Sequence, residues 1–237
     1  MSEQKSKIVL FSNINSRIPF EPRITVNEVI LPLVPSINFL GLKMHEYLKW
    51  DDQVSDLCSK LNTRLFVLNR ISKIGTPALT LLTYFSLIHS LISYGIEVWG
   101  GTTQSNLNAI LKKQKRAVRY ITGANRMESC REHFKELKIM TVVTLYIYKT
   151  IIYIKSQLTD IPTNGALHDY NTRHRNTLAT QPHNSTLYEK TTLYQGTKLY
   201  NLLPLRIQLI QSSKLFKKAL KEYLLEKNVY SMEEFLS

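Results

Sequence analysis

The sequence is poor in the residues that would define several protein classes. It has only two cysteines, Cys58 and Cys130, in 237 residues, so a disulfide framework is excluded and a reducing compartment fits. Eight glycines and eight prolines exclude a collagen-like or low-complexity chain. Acids are scarce: 18 Asp+Glu face 31 Lys+Arg, a net charge of +13. The N-terminal apolar run stops at Phe11, too short for a secretory signal core. What is present is an ordinary globular share of hydrophobic residues, 43%, enough to exclude wholesale disorder. A chain of this size and charge calls for a polyanionic partner, because neutralised phosphates release counterions and supply sequence-independent affinity.

The longest stretch without formal charge, residues 74–96, has the length of a membrane span. Thr83, Ser86, Ser90 and Ser93 recur within it at helical spacing. That polar stripe predicts a buried helix of a soluble protein, with no membrane association and a cytoplasmic or nuclear location.

In residues 1–42 the runs 7–11, 23–26 and 37–42 are β-branched or apolar, separated by Pro19, Pro22, Pro32 and Pro35. They predict short strands joined by loops. From Asp51 the period becomes helical. Val54, Leu57, Cys58, Leu61, Leu65 and Leu68 share one face, and Asp51 or Asp52 is the N-cap. Thr76-Pro77 starts a second helix running to about Gly95, and a third spans 104–122 with Gly123 as C-cap. Helices follow near 129–137, 142–156, 194–202, 213–226 and 231–236. Residues 159–186 have few large apolar groups and predict a polar linker or surface loop. The expected fold class is mainly α: a helical bundle with a small N-terminal β element and a helical C-terminal extension. The expected divisions are 1–42, 43–158, 159–186 and 187–237.

The third helix carries the clearest chemistry. Leu107, Ile110, Leu111, Gln114, Val118 and Ile121 form one face, while Lys112, Lys115, Arg116 and Arg119 fall at i, i+3, i+4, i+7 on another, with Lys113 beside them. No acid occurs from Val98 to Met127, so these cations have no local carboxylate to relieve their repulsion. Residues 213–226 repeat the arrangement: Phe216, Ala219, Leu220, Tyr223 and Leu224 on one side, Lys214, Lys217, Lys218 and Lys221 on the other. One such stripe is equally a solvated face. Two on a chain this basic predict rows of cations against a phosphate backbone, and an anionic membrane surface is the alternative for the second.

Catalytic constellations are missing. Two-metal chemistry needs converging carboxylates, and the adjacent acid pairs, Asp51-Asp52 and Glu233-Glu234, lie at a helix start and in the last turn. Cys130-x-x-His133 with His168 and His174 completes no zinc pattern. His89, in an apolar helix, is expected to be a satisfied core histidine. No phosphate loop, GxSxG or HExxH is present.

Taken in order, the landmarks resemble reverse transcriptases of non-LTR retrotransposons, with the jockey-like elements the nearest comparison. Lys5-Ser6-Lys7 through Phe11 resembles the Lys-Thr-Lys strand after the catalytic Asp-Asp turn, and Phe39-Leu40-Gly41 through Trp50 the segment that closes the palm and opens the thumb. Tyr94-Gly95 with Trp99-Gly100, then Gln114 to Arg119, resembles the signature downstream. His168-x-Tyr170-x-Thr172-Arg173, Gly196 to Pro204 and Tyr230-Ser231 through Leu236 are similar to the C-terminal region. The resemblance spans essentially the whole chain. It implies that residues 1–42 are the end of a palm, with exposed strand edges, and that 43–158 are a thumb. It also implies Lys5 near an incoming nucleotide, Phe39, Leu40 and Gly41 in a primer-grip hairpin, and the 104–122 helix against RNA, an RNA–DNA hybrid or DNA. Trp50 and Trp99 are expected in the core. The parent activity would be RNA-directed DNA synthesis with Mg2+. The aspartates that hold that metal in the family have no counterpart here, so no cofactor is expected and the chain would bind without catalysis. It would do so as a truncated copy, an interaction module docking on a separate palm fragment, or a co-opted RNA-binding protein.

Overall fold

The computed structural model describes residues 6–12, 23–167 and 173–237. Lys5, His168, Tyr170 and Thr172 lie outside the described residues. The fold is mainly α with two small antiparallel sheets near the N-terminus, as the periodicities predict. The chain divides into two compact units at Asp56/Leu57, later than the predicted boundary at 42/43. Residues 159–186 and 187–237 belong to the same unit as the central helices.

In the first unit, β1 (Thr25–Val26) pairs with β2 (Val29–Ile30), and β3 (Ser36–Phe39) with β4 (Leu42–His45). Both hairpins turn on two residues with positive φ: Asn27 (48°) and Glu28 (68°), then Leu40 (48°) and Gly41 (79°). That is the left-handed turn geometry matching the twist of paired strands. The predicted 37–42 strand is therefore broken at its centre by a reversal. Among the described residues the 7–11 run makes one parallel bridge, Ile8 to Leu33; Pro32, whose carbonyl accepts from Ile8 N, has no N–H to extend the ladder.

Helix α1 (Asp51–Ile74) runs across the division. Leu57, Leu61, Leu65 and Leu68 are buried, on the face the spacing predicts. In the second unit, α2 (Pro77–Thr83) starts with Thr76 as N-cap and Pro77 at the first position. It continues through a π-helical turn, Tyr84–His89, into α3 (Ser90–Ser93). The hydroxyls of Thr83, Ser86, Ser90 and Ser93 all donate to carbonyls three or four residues back, so the polar stripe is satisfied within its own helix. No helix among the described residues is long and apolar enough to cross a membrane. Gly95 reverses the chain (φ 58°) into α4 (Ile96–Trp99). Trp99 is fully buried, with its Nε1 donating to Tyr94 O at 2.8 Å. Trp50 is only half-buried, and Tyr94 is 54% exposed.

Helix α7 (Val142–Ser156) buries residues around most of its circumference, as a helix at the centre of a bundle does. It packs against α5 (Gln104–Thr122), α10 (Thr192–Asn201) and α12 (Ser213–Lys227). The contact with α10 is close because Gly196 faces it: a Cβ there would come within 2.5 Å of Ile154 Cγ1. The end of α12 is fixed by Asn228, fully buried in the left-handed region (φ 38°). Its Oδ1 accepts from Thr141 N at 3.2 Å and its Nδ2 donates to Ile139 O at 3.2 Å. The predicted linker is docked here too. Leu178 and Ala179 are buried, and the Asn201 amide closes both backbone groups of Leu178 at 3.0 and 2.9 Å.

Candidate nucleic-acid interface

Helix α5 is bounded as its sequence predicts. Thr103 Oγ1 accepts from Asn106 N, and Gly123 (φ 71°) donates its N–H to Arg119 O at 2.9 Å. Leu107, Ile110, Leu111, Gln114, Val118 and Ile121 are all buried. The one polar member is fully paired. Gln114 Nε2 donates to Tyr84 Oη and Met140 O, each at 3.1 Å, and its Oε1 accepts from Val142 N at 2.7 Å.

The opposite side opens into a groove of about 690 Å³ lined by Lys112, Lys115, Arg116, Arg119, Tyr120 and Arg126. Lys112 and Arg116 are exposed. Arg116 Nε donates to Tyr120 Oη at 2.6 Å, which steadies both side chains at the groove. None of the α5 cations forms an ion pair among the described residues. Arg126 reaches the groove because Gly123 turns the chain back after α5; the acid-free window ending at Met127 contains this residue and was the available signal for it.

The five predicted cations are not equivalent. Arg119 Nε and Nη2 donate to Asn125 O at 3.1 Å and Glu128 O at 3.0 Å, so this side chain folds the 123–128 loop. Lys115 Nζ lies 4.0 Å from the centre of the Tyr230 ring, which Arg131 Cζ also approaches at 4.4 Å. Burial pulls the Lys115 pKa down, and burial raises the Tyr230 phenol to about 12. Arg131 pairs with Glu234 of α13 (Met232–Leu236), and Gln104 of α5 donates to Tyr230 O at 3.2 Å and accepts from Met232 N at 3.4 Å, so the C-terminal turn is clipped onto α5 and the segment after it. Lys113 lies apart: its charge partly opposes the burial that raises the Cys58 thiol. The row of four with Lys113 beside it thus becomes two exposed cations, two that also hold structure, and one directed elsewhere.

On α12, Phe216, Leu220 and Leu224 are buried and Lys214, Lys217, Lys218 and Lys221 exposed, as the spacing predicts. Phe39 and Leu40, with Gly41, form the tip of the β3–β4 hairpin, the first two 57% and 74% exposed. Core packing thus does not account for Phe39.

The rejected metal reading has a structural replacement. His133 Nε2 lies 3.0 Å from Glu128 and Nδ1 3.2 Å from Glu136, while Cys130 Sγ turns to Lys115 O at 3.8 Å. No group of three His, Cys, Asp or Glu side chains converges among the described residues. His89 departs from expectation: its Nδ1 is buried without a hydrogen-bond partner, and burial, then Lys149 and Lys221, pull its pKa down.

The carboxylates hold the His133 pKa above its ordinary value, and His133 holds Glu128 below its own. The histidine's contribution is complete below about pH 6.5 and is lost as pH rises through its raised pKa. The glutamate's is complete above about pH 4.3 and is lost as pH falls through its lowered one. Hydrogen exchange of residues 123–130, corrected for intrinsic rates, is therefore expected to be slower at about pH 5.5 than at about pH 8.5. In His133→Gln the difference should vanish. Equal protection at both pH values in the unaltered protein contradicts the assignment.

The chain matches no protein-family model, no curated protein and no solved structure.

Proposed function

We propose that this chain is a nucleic-acid-binding segment of a retrotransposon-type reverse transcriptase, binding RNA, an RNA–DNA hybrid or DNA through the α5 groove. The observation that carries the reading is the groove itself. Four cations of α5 and a fifth from the loop beyond it line one concave surface, and none has a carboxylate ion-pair partner among the described residues. A merely solvated face has no reason to recruit Arg126 to the helix's cations. Catalysis would belong to aspartates that this sequence does not contain, so the chain contributes affinity and not chemistry.

The test is the salt dependence of binding. Lys112→Ala/Arg116→Ala/Arg126→Ala leaves Lys115 and Arg119 to their structural roles. The slope of log K against log salt is expected to fall by about 2–3 units for duplex or hybrid probes. An unchanged slope in the triple variant sinks the groove assignment.

The exposed Phe39 and Leu40 at the hairpin tip, with Val29 and Ile30 also exposed, favour a second reading. On it, the first unit docks on a separate palm segment through these apolar edges. Co-expression with such a segment distinguishes the two: stable association supports docking, and independent elution of the two polypeptides rejects it.

A further inference from the structure

The α12 lysines do not act as a simple row. Lys218 and Lys221 line an open groove of about 440 Å³ with Lys135 and Lys138, which lie in and just after α6 (Arg131–Glu136). Lys214 and Lys217 do not line it. These two pairs of lysines are far apart in sequence, and the fold sets them into one concavity. Lys138 occupies the left-handed region (φ 52°), uncommon for a residue other than glycine, asparagine or aspartate. That turn is where the chain leaves α6.

The two grooves share a bridge. Lys115 lines the α5 groove and faces the Tyr230 ring; Arg131 faces the same ring. Lys135, one helical turn beyond Arg131, lines the second groove, and residues four apart on a helix sit roughly 5–6 Å from each other. Cations therefore follow one another from Lys112 across α6 to Lys221. The acids beside this path are Glu222 and Glu226 on the wall of the second groove, Glu132, which pairs with Lys135 at 3.4 Å, Glu234, which pairs with Arg131 at the bridge, and Glu128 and Glu136, which both turn to His133. The two wall acids repel phosphate and restrict a strand to the lysine side.

We infer that the groove formed by Lys135, Lys138, Lys218 and Lys221 is a second phosphate-backbone site, and that one single-stranded nucleic acid crosses α6 to occupy both grooves. The inference rests on the proposed α5 reading and extends it. A concave site with Leu225 as its sole large apolar lining residue suits a strand better than a bilayer surface, which requires side chains that insert.

The experiment uses the full chain and fluorescent oligouridylates of about 4 and about 16 nucleotides, the two ends of the range of site sizes on single-strand-binding surfaces. Lys135→Gln/Lys138→Asn/Lys218→Gln/Lys221→Gln keeps a residue tolerant of positive φ at position 138. For the long probe this variant is expected to lower the salt slope by roughly 2–3 units, about 0.7 for each phosphate left without its cation. Exposed lysines contribute little to folding, and the melting temperature of each variant checks that. With the long probe, the α5 triple variant should lower the slope as well, and combining the sets should add the two decreases. The long probe should exceed the short one in the unaltered chain's slope, and this excess should disappear in either set. A slope unchanged by the lysine variant, with the α5 variant still effective, overturns the second site and leaves the α5 reading standing. An unchanged slope in the α5 variant alone overturns that reading instead. Loss of binding to phosphatidylserine vesicles without any loss for oligouridylate would make the second groove a membrane contact and overturn the inference.

Discussion

Gly100→Ala is expected to destabilise the protein by about 3 kcal/mol, at the upper end of what overpacking a core costs. Gly100 has ordinary helical angles, φ −69° and ψ −16°, so its conformational freedom is not what the site uses. A methyl group there would lie 2.8 Å from Tyr146 Cγ, and closer still to Tyr146 Cδ2 and the Ile96 carbonyl oxygen. Tyr146 cannot easily retreat: it is 2% exposed on α7, and burial raises its phenol to about 12. With space available, the same change would stabilise the protein by about 0.4–1 kcal/mol through the unfolded chain. The sign alone therefore separates the alternatives. Chemical denaturation gives the midpoint, and Gly100→Ala combined with Tyr146→Leu should cost less than the sum of the single changes. A midpoint at or above that of the unaltered chain contradicts the clash.

Gln114→Leu should be comparably severe, with a loss of about 3–5 kcal/mol. It leaves the Tyr84 hydroxyl, the Met140 carbonyl and the Val142 N–H unpaired in the interior, each costing about 1–3 kcal/mol, with incomplete additivity. Leucine nearly matches the volume and suits the flanking Ile110, Ala117 and Val118. A transfer argument would favour the substitution; the hydrogen-bond argument predicts the opposite. Tyr84→Phe should cost only about 1 kcal/mol, since Gln114 Nε2 retains Met140 O. Faster amide exchange in the first turn of α7 would locate the damage in Gln114→Leu, and unaltered stability would refute the role given to the amide.

Local features were legible in the sequence. The Thr76-Pro77 start, the Gly123 end and the buried face of α5 each depend on residues within a few positions, and the structure places them where spacing predicts. Features decided by distant partners were not. The spacing of Lys115 and Arg119 identifies their face of α5 but not Tyr230, which comes from the far end of the chain to cover one of them. Gln114 reads as a polar intruder until Met140 and Val142 are seen beside it. Residues 159–186 read as a linker because they are polar, yet two small commitments hold the segment down, the burial of Leu178 and Ala179 and the amide of Asn201. The pairing of Lys135 and Lys138 with Lys218 and Lys221 has no local signal at all. In the first unit, the 37–42 run hides its reversal because leucine is a poor advertisement for positive φ.

The π-helical turn at Tyr84–His89 also determines how this chain tolerates changes in length. Thr80, Tyr84, Ile88 and Ile92 are all buried, in steps of four that an ideal α-helix would rotate by about 40° each. The wide turn absorbs that drift with one residue more than an α-helix needs. Loss of a single codon there would let the hydrogen bonds close into a regular helix and leave everything downstream within about 20° of its present orientation, because eleven α-helical steps complete about three turns. Ile92, Ile96 and Trp99 would then keep their places in the interior. A deletion that repairs the local geometry would thus be tolerated, whereas one inside α5 or α7, which have no surplus residue to give up, would rotate the rest of that helix by about 100°.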